Sequence, residues 1–272
     1  MLPADRLADL DAFLIALNRA SGEAILPLFR ADHGLEDKGK AGAFDPVTEA
    51  DRGAEAVIRK LITQHYPEHG VIGEEYGEDR PDAEFVWVLD PIDGTRAFIS
   101  GLPLWTTLIA LRWNGAPVLG SVGQPYLDEI FIGSAAGSRL MSRDQTQALH
   151  VRACPEMAQA VISTTDPQAC FDSPERAVWD DVRGVTRLAR LGCDAYAYAM
   201  VAMGKMDMVI EAGLKAWDVE AAIPLIAGAG GVTTDWRGDE IGKNGGQMLI
   251  VGDKALLDPT LELLAPAAKA QP

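Results

Sequence analysis

The apolar run Phe85-Val86-Trp87-Val88-Leu89 ends at once in Asp90-Pro91-Ile92-Asp93-Gly94-Thr95. The run reads as a buried strand. Pro91 fixes its own φ and has no N–H, so the strand cannot continue normally through it. Gly94 permits the tight backbone needed before a short helix, which starts at Thr95 and stops near Gly101 and Pro103. Two aspartates therefore converge at a strand end. Carboxylates crowded together there repel one another unless they are protonated or bridged by a cation, and an oxygen-only site of this kind suits Mg²⁺. An isolated Asp-Pro-x-Asp-Gly is otherwise a capped turn, so the rest of the chain has to decide.

Further acids weigh toward a site. Glu74 and Glu75 follow an apolar strand in VIGEEYG, and Asp218 stands where a helix starts in KAWDVEAAIPLIAGAGG. Taken singly, Glu75 reads as a solvated neighbour and Asp218 as a helix N-cap. Thr95 adds a hydroxyl beside Gly94, and the N–H groups of Gly94 and Thr95 point out of a helix start, where they can hold a phosphate oxygen. Acids that bind metal beside an anion-binding helix end point to phosphoryl chemistry.

The 272 residues hold 24 Lys plus Arg against 40 Asp plus Glu, a net charge of -16 that argues against nucleic acid or an anionic membrane as partner. A phosphorylated small molecule is not excluded, because a divalent metal held by carboxylates inverts the local field. Three cysteines without a CxxC form neither a disulfide framework nor a zinc site, which fits a reducing cytoplasm. The N-terminal segment has acids early and an apolar spacing of three to four, as an amphipathic helix does, and no apolar run reaches the roughly 18 residues of a membrane span. A soluble protein follows.

Along the chain, a glycine-rich charged segment precedes a helix beginning near Thr48, where Asp51 three positions on completes a helix-start pattern and Val57, Ile58, Leu61 and Ile62 supply the buried face. After the short helix at Thr95, a hairpin signal at Asn114-Gly115 lies between apolar runs and opens a meander. From about residue 146, strands alternate with helices. The expected organisation is α/β: an α+β N-terminal lobe over 1–145, which holds Glu74, Asp90 and Asp93, and an α/β C-terminal lobe over 146–272, which supplies Asp218. Only the tail APAAKAQP reads as expendable.

VIGEEYGED, WVLDPIDGTRAFISGLP and AWDVEAAIPLIAGAGG, with DPVTEAD upstream and VIEAGLKAWD downstream, resemble in order and spacing the motifs of the inositol monophosphatase superfamily. DPIDGTRAFISG, GQPYLDE and GCDAYAYAMVAMGKMDMVIE are most similar to its histidinol-phosphate phosphatase subgroup. The resemblance implies a layered αβαβα sandwich of the inositol monophosphatase/fructose-1,6-bisphosphatase type, two or three Mg²⁺ ions per site, and often a homodimer. It places Glu74, Asp90, the carbonyl of Ile92 and Thr95 at the first metal, and Asp90, Asp93 and Asp218 at the second. Asp51 and Thr95 then orient the attacking water with Glu74, and Lys40, or alternatively Lys38, is the basic residue of a mobile loop. Asp194 and Glu211 face the leaving group.

The implied activity is hydrolysis of a phosphate monoester, with histidinol phosphate as substrate in histidine biosynthesis. That leaving group carries an ammonium and an imidazole and should favour acids. Asp194 discriminates better than Glu211, whose counterpart in inositol monophosphatases meets a hydroxyl, although Asp194 taken alone is equally a helix N-cap. The alternatives are an inositol-1-monophosphatase or a broader sugar-phosphate phosphatase, and, outside enzymology, a non-catalytic protein that binds metal and phosphate ligands. A phosphoaspartate mechanism would need D-x-D-x-T, whereas these acids stand three apart, and neither G-x-S-x-G nor a Walker A pattern occurs. The four histidines read as surface residues, Trp87, Trp105 and Trp217 as packing, and Met200, Met203, Met206 and Met208 as core and helix-end residues.

Overall fold

Leucines spaced three and four apart, Leu10, Leu14 and Leu17, give α1 (Ala4–Ile25) one apolar face, and all three are fully buried. The computed structural model describes residues 2–31, 34–37, 46–143 and 145–271. After α1, the short strands β1 (Glu36–Asp37) and β2 (Pro46–Val47) pair antiparallel. Next comes α2 (Glu49–His65), opened by a capping box in which Thr48 and Asp51 satisfy each other's backbone ends.

The chain continues with β3 (Gly70–Gly73), β4 (Gly77–Asp79), β5 (Phe85–Asp93), α3 (Thr95–Ile99), β6 (Thr106–Trp113), β7 (Ala116–Gln124), β8 (Glu129–Ser134), β9 (Gly137–Ser142) and β10 (Gln145–Leu149). These strands form one sheet in the order β10-β9-β8-β7-β6-β5-β3-β4. Every pairing is antiparallel except β3 with β5, which run parallel. The expected hairpin at Asn114-Gly115 joins β6 to β7, both turn residues having positive φ, 52° and 83°.

A second sheet of five strands follows. Its elements are β11 (Val161–Thr164), α4 (Pro167–Cys170), α5 (Ser173–Val185), β12 (Leu188–Leu191), α6 (Tyr196–Ala202), β13 (Met208–Leu214), α7 (Ala216–Val219), α8 (Ala222–Ala229), β14 (Val232–Thr234), β15 (Gly246–Val251) and α9 (Leu257–Leu264). The order is β12-β11-β13-β15-β14, with β11 parallel to both neighbours.

Alternation along the strands separates the cores. Trp87, Leu89, Ile109 and Leu111 pack against α1 and α2, while Val86, Val88, Leu108 and Ala110 face α6 and α8 on the other side. Val209, Met248 and Ile250 bring the second sheet against those same helices, and Met208, Ile210 and Leu249 face α5 and α9 beyond it. The layers are thus helix, sheet, helix, sheet, helix, which is the expected αβαβα sandwich.

Three local expectations are corrected. Pro91 does not end β5, which runs on to Asp93. Instead the pairing with β6 slips between Asp90 and Asp93, and the Pro91 carbonyl accepts from Thr107 Oγ1 at 2.8 Å. His69 is not a surface residue: it is 5 % exposed, stacked between Tyr66 and Phe85, and accepts from Trp87 Nε1 at 3.1 Å. His65 and His150 are exposed, and His33 lies outside the described residues. Nor is the C-terminal tail unattached. Ala267 O and Lys269 N bond the two ends of the Gln247 side-chain amide, Lys269 Nζ reaches Glu175 at 2.6 Å and Asp172 at 2.9 Å, and Gln271 Nε2 donates to Asp235. The tryptophans and methionines pack as expected, with Trp87, Trp105 and Met208 fully buried.

Candidate active site

Parallel pairing of β3 with β5 sets Gly73 against Leu89, so the next residues, Glu74 just past β3 and Asp90 within β5, lie side by side. Glu74 N donates to Leu89 O at 3.2 Å. The slipped pairing after Asp90 then turns the chain through Asp93 to Gly94, whose φ of 81° is a left-handed conformation that favours glycine. The Gly94 carbonyl accepts from Ala97 and Phe98 N–H to open α3.

From the far side of the chain, α7 brings Asp218. It is not the N-cap but the third helical residue, and its Oδ2 accepts from Lys215 N at 2.7 Å. Asp90, Asp93 and Asp218 each present one carboxylate oxygen within 4.8 Å of the others. Asp93 Oδ2 also accepts from Ala195 N at 2.7 Å, which ties the site to the start of α6.

The electrostatics mark this as a site that needs positive charge. Burial first, then the charges of Glu74, Asp93, Asp218 and Asp51, raises Asp90 well above the usual carboxylate range. Burial and the charges of Asp194 and Asp218 do the same for Asp93, and burial pushes Asp218 up to about 6. Asp90 Oδ1 is buried with no hydrogen-bond partner. An orphaned carboxylate oxygen among facing acids is what a hard divalent cation with oxygen ligands satisfies, so the donor set fits Mg²⁺.

Beside these acids stands Thr95. Its Oγ1 donates toward Ile92 O at 3.1 Å, with Asp51 Oδ1 at 3.5 Å. Asp51 is 2 % exposed, and its other oxygen accepts from Thr48 N and Oγ1. Burial raises the Asp51 carboxyl, against the opposing Thr48 hydrogen bonds. Lys40 and Lys38 lie outside the described residues.

A cavity of about 270 Å³ opens from Asp93, Thr95 and Asp218 toward Thr165, Asp194, Tyr198 and Glu211. Asp194 is not a helix N-cap: α6 starts after Ala195, without a side-chain cap. With φ of 45°, Asp194 sits in the left-handed region, one of the few conformations of that kind an Asp tolerates, and its carboxylate lies where a Cβ on Gly94 would touch it. Burial pushes its pKa up to about 6, while Arg96 and Thr165 oppose the shift. Glu211, on β13, accepts from Thr165 N at 2.8 Å, Thr165 Oγ1 at 2.9 Å and Thr164 Oγ1 at 3.2 Å, and burial pushes it up to about 8.

Thr164, Thr165, Arg96 and Tyr198 were not singled out by sequence reasoning. The sequence signal for the threonines is their position at the end of a buried strand, as with Glu74. Two other cavities carry different chemistry. One of about 330 Å³ under the tail has its Glu175, Gln247 and Asp235 bonded to Lys269 and Gln271, and one of about 360 Å³ beside α8 is lined largely by apolar residues such as Leu7, Val118 and Ile223. No helix among the described residues is long and apolar enough to cross a membrane.

The model of the inositol monophosphatase family matches residues 6–269. The bifunctional phosphatase IMPL2, chloroplastic, of Arabidopsis thaliana is 43% identical over 82% of this chain, a match that spans 63% of the plant protein's own length. A histidinol-phosphatase of Chlorobaculum parvum is 36% identical over 71% of this chain and 73% of its own. Among solved structures, an inositol monophosphatase from Zymomonas mobilis superposes with a TM-score of 0.82 at 38% identity, covering 92% of this chain and 95% of that one. The extragenic suppressor protein suhB of Bartonella henselae gives 0.85 at 26% identity, over 94% and 98%.

Proposed function

The chain belongs to the inositol monophosphatase family, and from that membership we propose that it is a Mg²⁺-dependent phosphomonoesterase that hydrolyses histidinol phosphate. The convergence of Asp90, Asp93 and Asp218 beside Glu74 and the Thr95–Asp51 pair carries the proposal. Glu74, Asp90, the Ile92 carbonyl, Asp93, Thr95 and Asp218 would hold the Mg²⁺. When bound, Mg²⁺ supplies positive charge to the phosphate and to the departing oxygen, and makes water more acidic.

The chain's own residues do the rest. The N–H groups of Gly94 and Thr95 receive a phosphate oxygen. Asp51 draws the Thr95 hydroxyl proton toward itself, which leaves the Thr95 oxygen free to accept a proton from the attacking water. The water oxygen forms the new P–O bond, the bond to the alcohol oxygen breaks, and that oxygen takes up a proton.

The leaving group meets Asp194 and Glu211. A substrate bearing an ammonium and an imidazole gains from this acidic wall, and the half-buried Asp194 carboxylate against Gly94 supports that choice. The name of the Chlorobaculum relative points the same way. The test is a parallel assay with Mg²⁺ of histidinol phosphate, inositol 1-phosphate, fructose 1,6-bisphosphate and adenosine 3′,5′-bisphosphate. Histidinol phosphate should show the highest kcat/KM, and Asp194→Ala should raise its KM about tenfold or more while changing that of inositol 1-phosphate little. A higher kcat/KM for inositol 1-phosphate in the unaltered protein would replace histidinol phosphate as the substrate and leave the phosphatase chemistry in place.

A further inference from the structure

Glu55 is fully buried on α2, one turn beyond Asp51 and on the same face. A carboxylate taken out of water has to be paired and hydrogen-bonded, and this one is on both counts. Arg59 Nε donates to Oε1 at 2.7 Å from the next turn of the helix. Glu75 N donates to Oε2 at 2.8 Å, and Tyr76 N to Oε1 at 3.2 Å. These last two N–H groups belong to the three-residue loop between β3 and β4 whose first residue is Glu74.

The fit is close. A Cβ on Gly73 would run into the Glu55 carboxylate, so the residue before Glu74 has no side chain where the carboxylate stands. Arg59 also donates to Gly77 O, at the far end of the loop. The loop is therefore gripped on one side by β5, through Glu74 N and Leu89 O, and on the other by Glu55 and Arg59.

We propose that Glu55 is a positioning residue for Glu74: by capping the loop from inside α2, it fixes the approach of the Glu74 carboxylate to Asp90 and so sets the affinity for the divalent ion. This rests on the reading of Glu74 as a metal ligand. It also joins the two arms of the site, since α2 orients Asp51 at its start and holds Glu74 one turn later. Outer partners of this kind are worth about 10–100-fold in metal affinity.

The experiment measures binding of Mn²⁺ alone to the full-length protein by calorimetry, alongside the urea midpoint in EDTA, for Glu55→Gln, Glu55→Ala, Gly73→Ala, the double variant Gly73→Ala/Glu55→Ala, and Glu74→Gln. Glu55→Gln keeps the volume and one acceptor, and should weaken Mn²⁺ about tenfold with a small change in urea midpoint. Gly73→Ala displaces the carboxylate and should weaken Mn²⁺ on its own, yet add nothing in the Glu55→Ala background. If Glu74→Gln weakens Mn²⁺ while Glu55→Gln binds it as tightly as the parent, the positioning role falls and Glu55 is an anchor for the hairpin only. If Glu74→Gln binds as tightly as the parent, the ligand reading of Glu74 falls and takes the inference with it. Weakened binding in both, in a protein that hydrolyses none of the four phosphate esters, would uphold the inference and overturn the proposed activity.

Discussion

Thr95 and Asp51 stand 44 positions apart in the chain, yet the Thr95 hydroxyl lies 3.5 Å from one Asp51 oxygen while Thr48 occupies the other. One carboxylate thus opens α2 and faces the hydroxyl at the start of α3. Its two oxygens serve separate ends, so the effects of changing it separate as well. Asp51→Asn keeps an acceptor for Thr48 N and should lower stability by only about 1 kcal/mol. It loses the charge that draws the Thr95 proton, and kcat should fall about 10²- to 10⁴-fold with KM little altered. Thr95→Ala should lower kcat to a similar extent, and the double variant should be no worse than the poorer single one. Steady-state kinetics with saturating Mg²⁺ decides, and additive losses in kcat would show that the two residues do not act as a unit.

Asp90 is where the fold stores electrostatic strain. Burial and four neighbouring acids raise its pKa, and its Oδ1 has no partner. Asp90→Asn removes one charge from the cluster, so without metal the variant should be more stable than the parent. Turnover should be abolished, because the most buried carboxylate of the acidic cluster is gone. Mg²⁺ should raise the Tm of the parent, since an ion that binds only the folded chain stabilises it, and should leave Asp90→Asn almost unmoved. Thermal melts in EDTA and in Mg²⁺ measure both effects. A variant that keeps a near-normal rate, or the full Mg²⁺ shift, would remove Asp90 from the site.

Much of this was legible because the acids sit at element boundaries that announce themselves. An apolar run broken by Asp-Pro, an acid pair closing VIGEE, and a Thr-x-x-Asp helix start each carry a local signal in the chain. The two-lobed α/β organisation followed from a meander succeeded by alternating strands and helices, whereas the layered sandwich came with the resemblance to the inositol monophosphatase superfamily. What was missed depends on contacts that local patterns do not record. Glu55 has the sequence context of an ordinary helix-surface glutamate, and only the packing of the β3–β4 loop over α2 buries it. His69 follows a helix end, where histidine is commonly exposed, but Trp87 arrives from β5 to cover it. The tail is short and alanine-rich, and its attachment comes from Glu175, Gln247 and Asp235, each distant in sequence. Pro91 was read as a stop because a proline cannot donate, whereas a bulge tolerates the missing donor.

The guanidinium of Arg112 on β6 meets the carboxylate of Glu220 just after α7, with Nε 2.8 and 2.7 Å from its two oxygens and both side chains nearly excluded from water. Since α7 carries Asp218, this pair clamps a site helix onto the large sheet. Removing one member leaves a buried charge, and Arg112→Met should cost about 3–5 kcal/mol. Replacing both, as in Arg112→Met/Glu220→Met, should cost clearly less than either single change. Urea unfolding of the three variants supplies the comparison. Strict additivity would mean that the two side chains are energetically independent despite their contact.

His69 gives a pH dependence whose sign is fixed by its surroundings. Burial, with Arg6 adding to it, lowers its pKa to about 4, against about 6.5 in an unfolded chain. Trp87 Nε1 donates to His69 Nδ1, so a second proton on the ring would also break that hydrogen bond. Above pH 6.5 the imidazole is neutral in both states and its contribution is fully present. Between pH 6.5 and 4 the unfolded chain binds a proton that the folded one refuses, and stability falls by up to about 1.4 kcal/mol per pH unit. Below pH 4 both states are protonated and the slope from this group ends. Asp194 and Asp218, whose pKa values are raised to about 6, act in the opposite direction over much of the same range, because the folded chain binds their protons first. The parent profile alone is therefore a mixture, and the difference between parent and His69→Gln isolates the histidine. Urea unfolding in EDTA at pH 7.5, 6.0 and 5.0 should show the parent losing about 1–2 kcal/mol relative to His69→Gln as the pH falls. Parallel curves would mean that this ring takes its proton as easily in the folded chain as in the unfolded one.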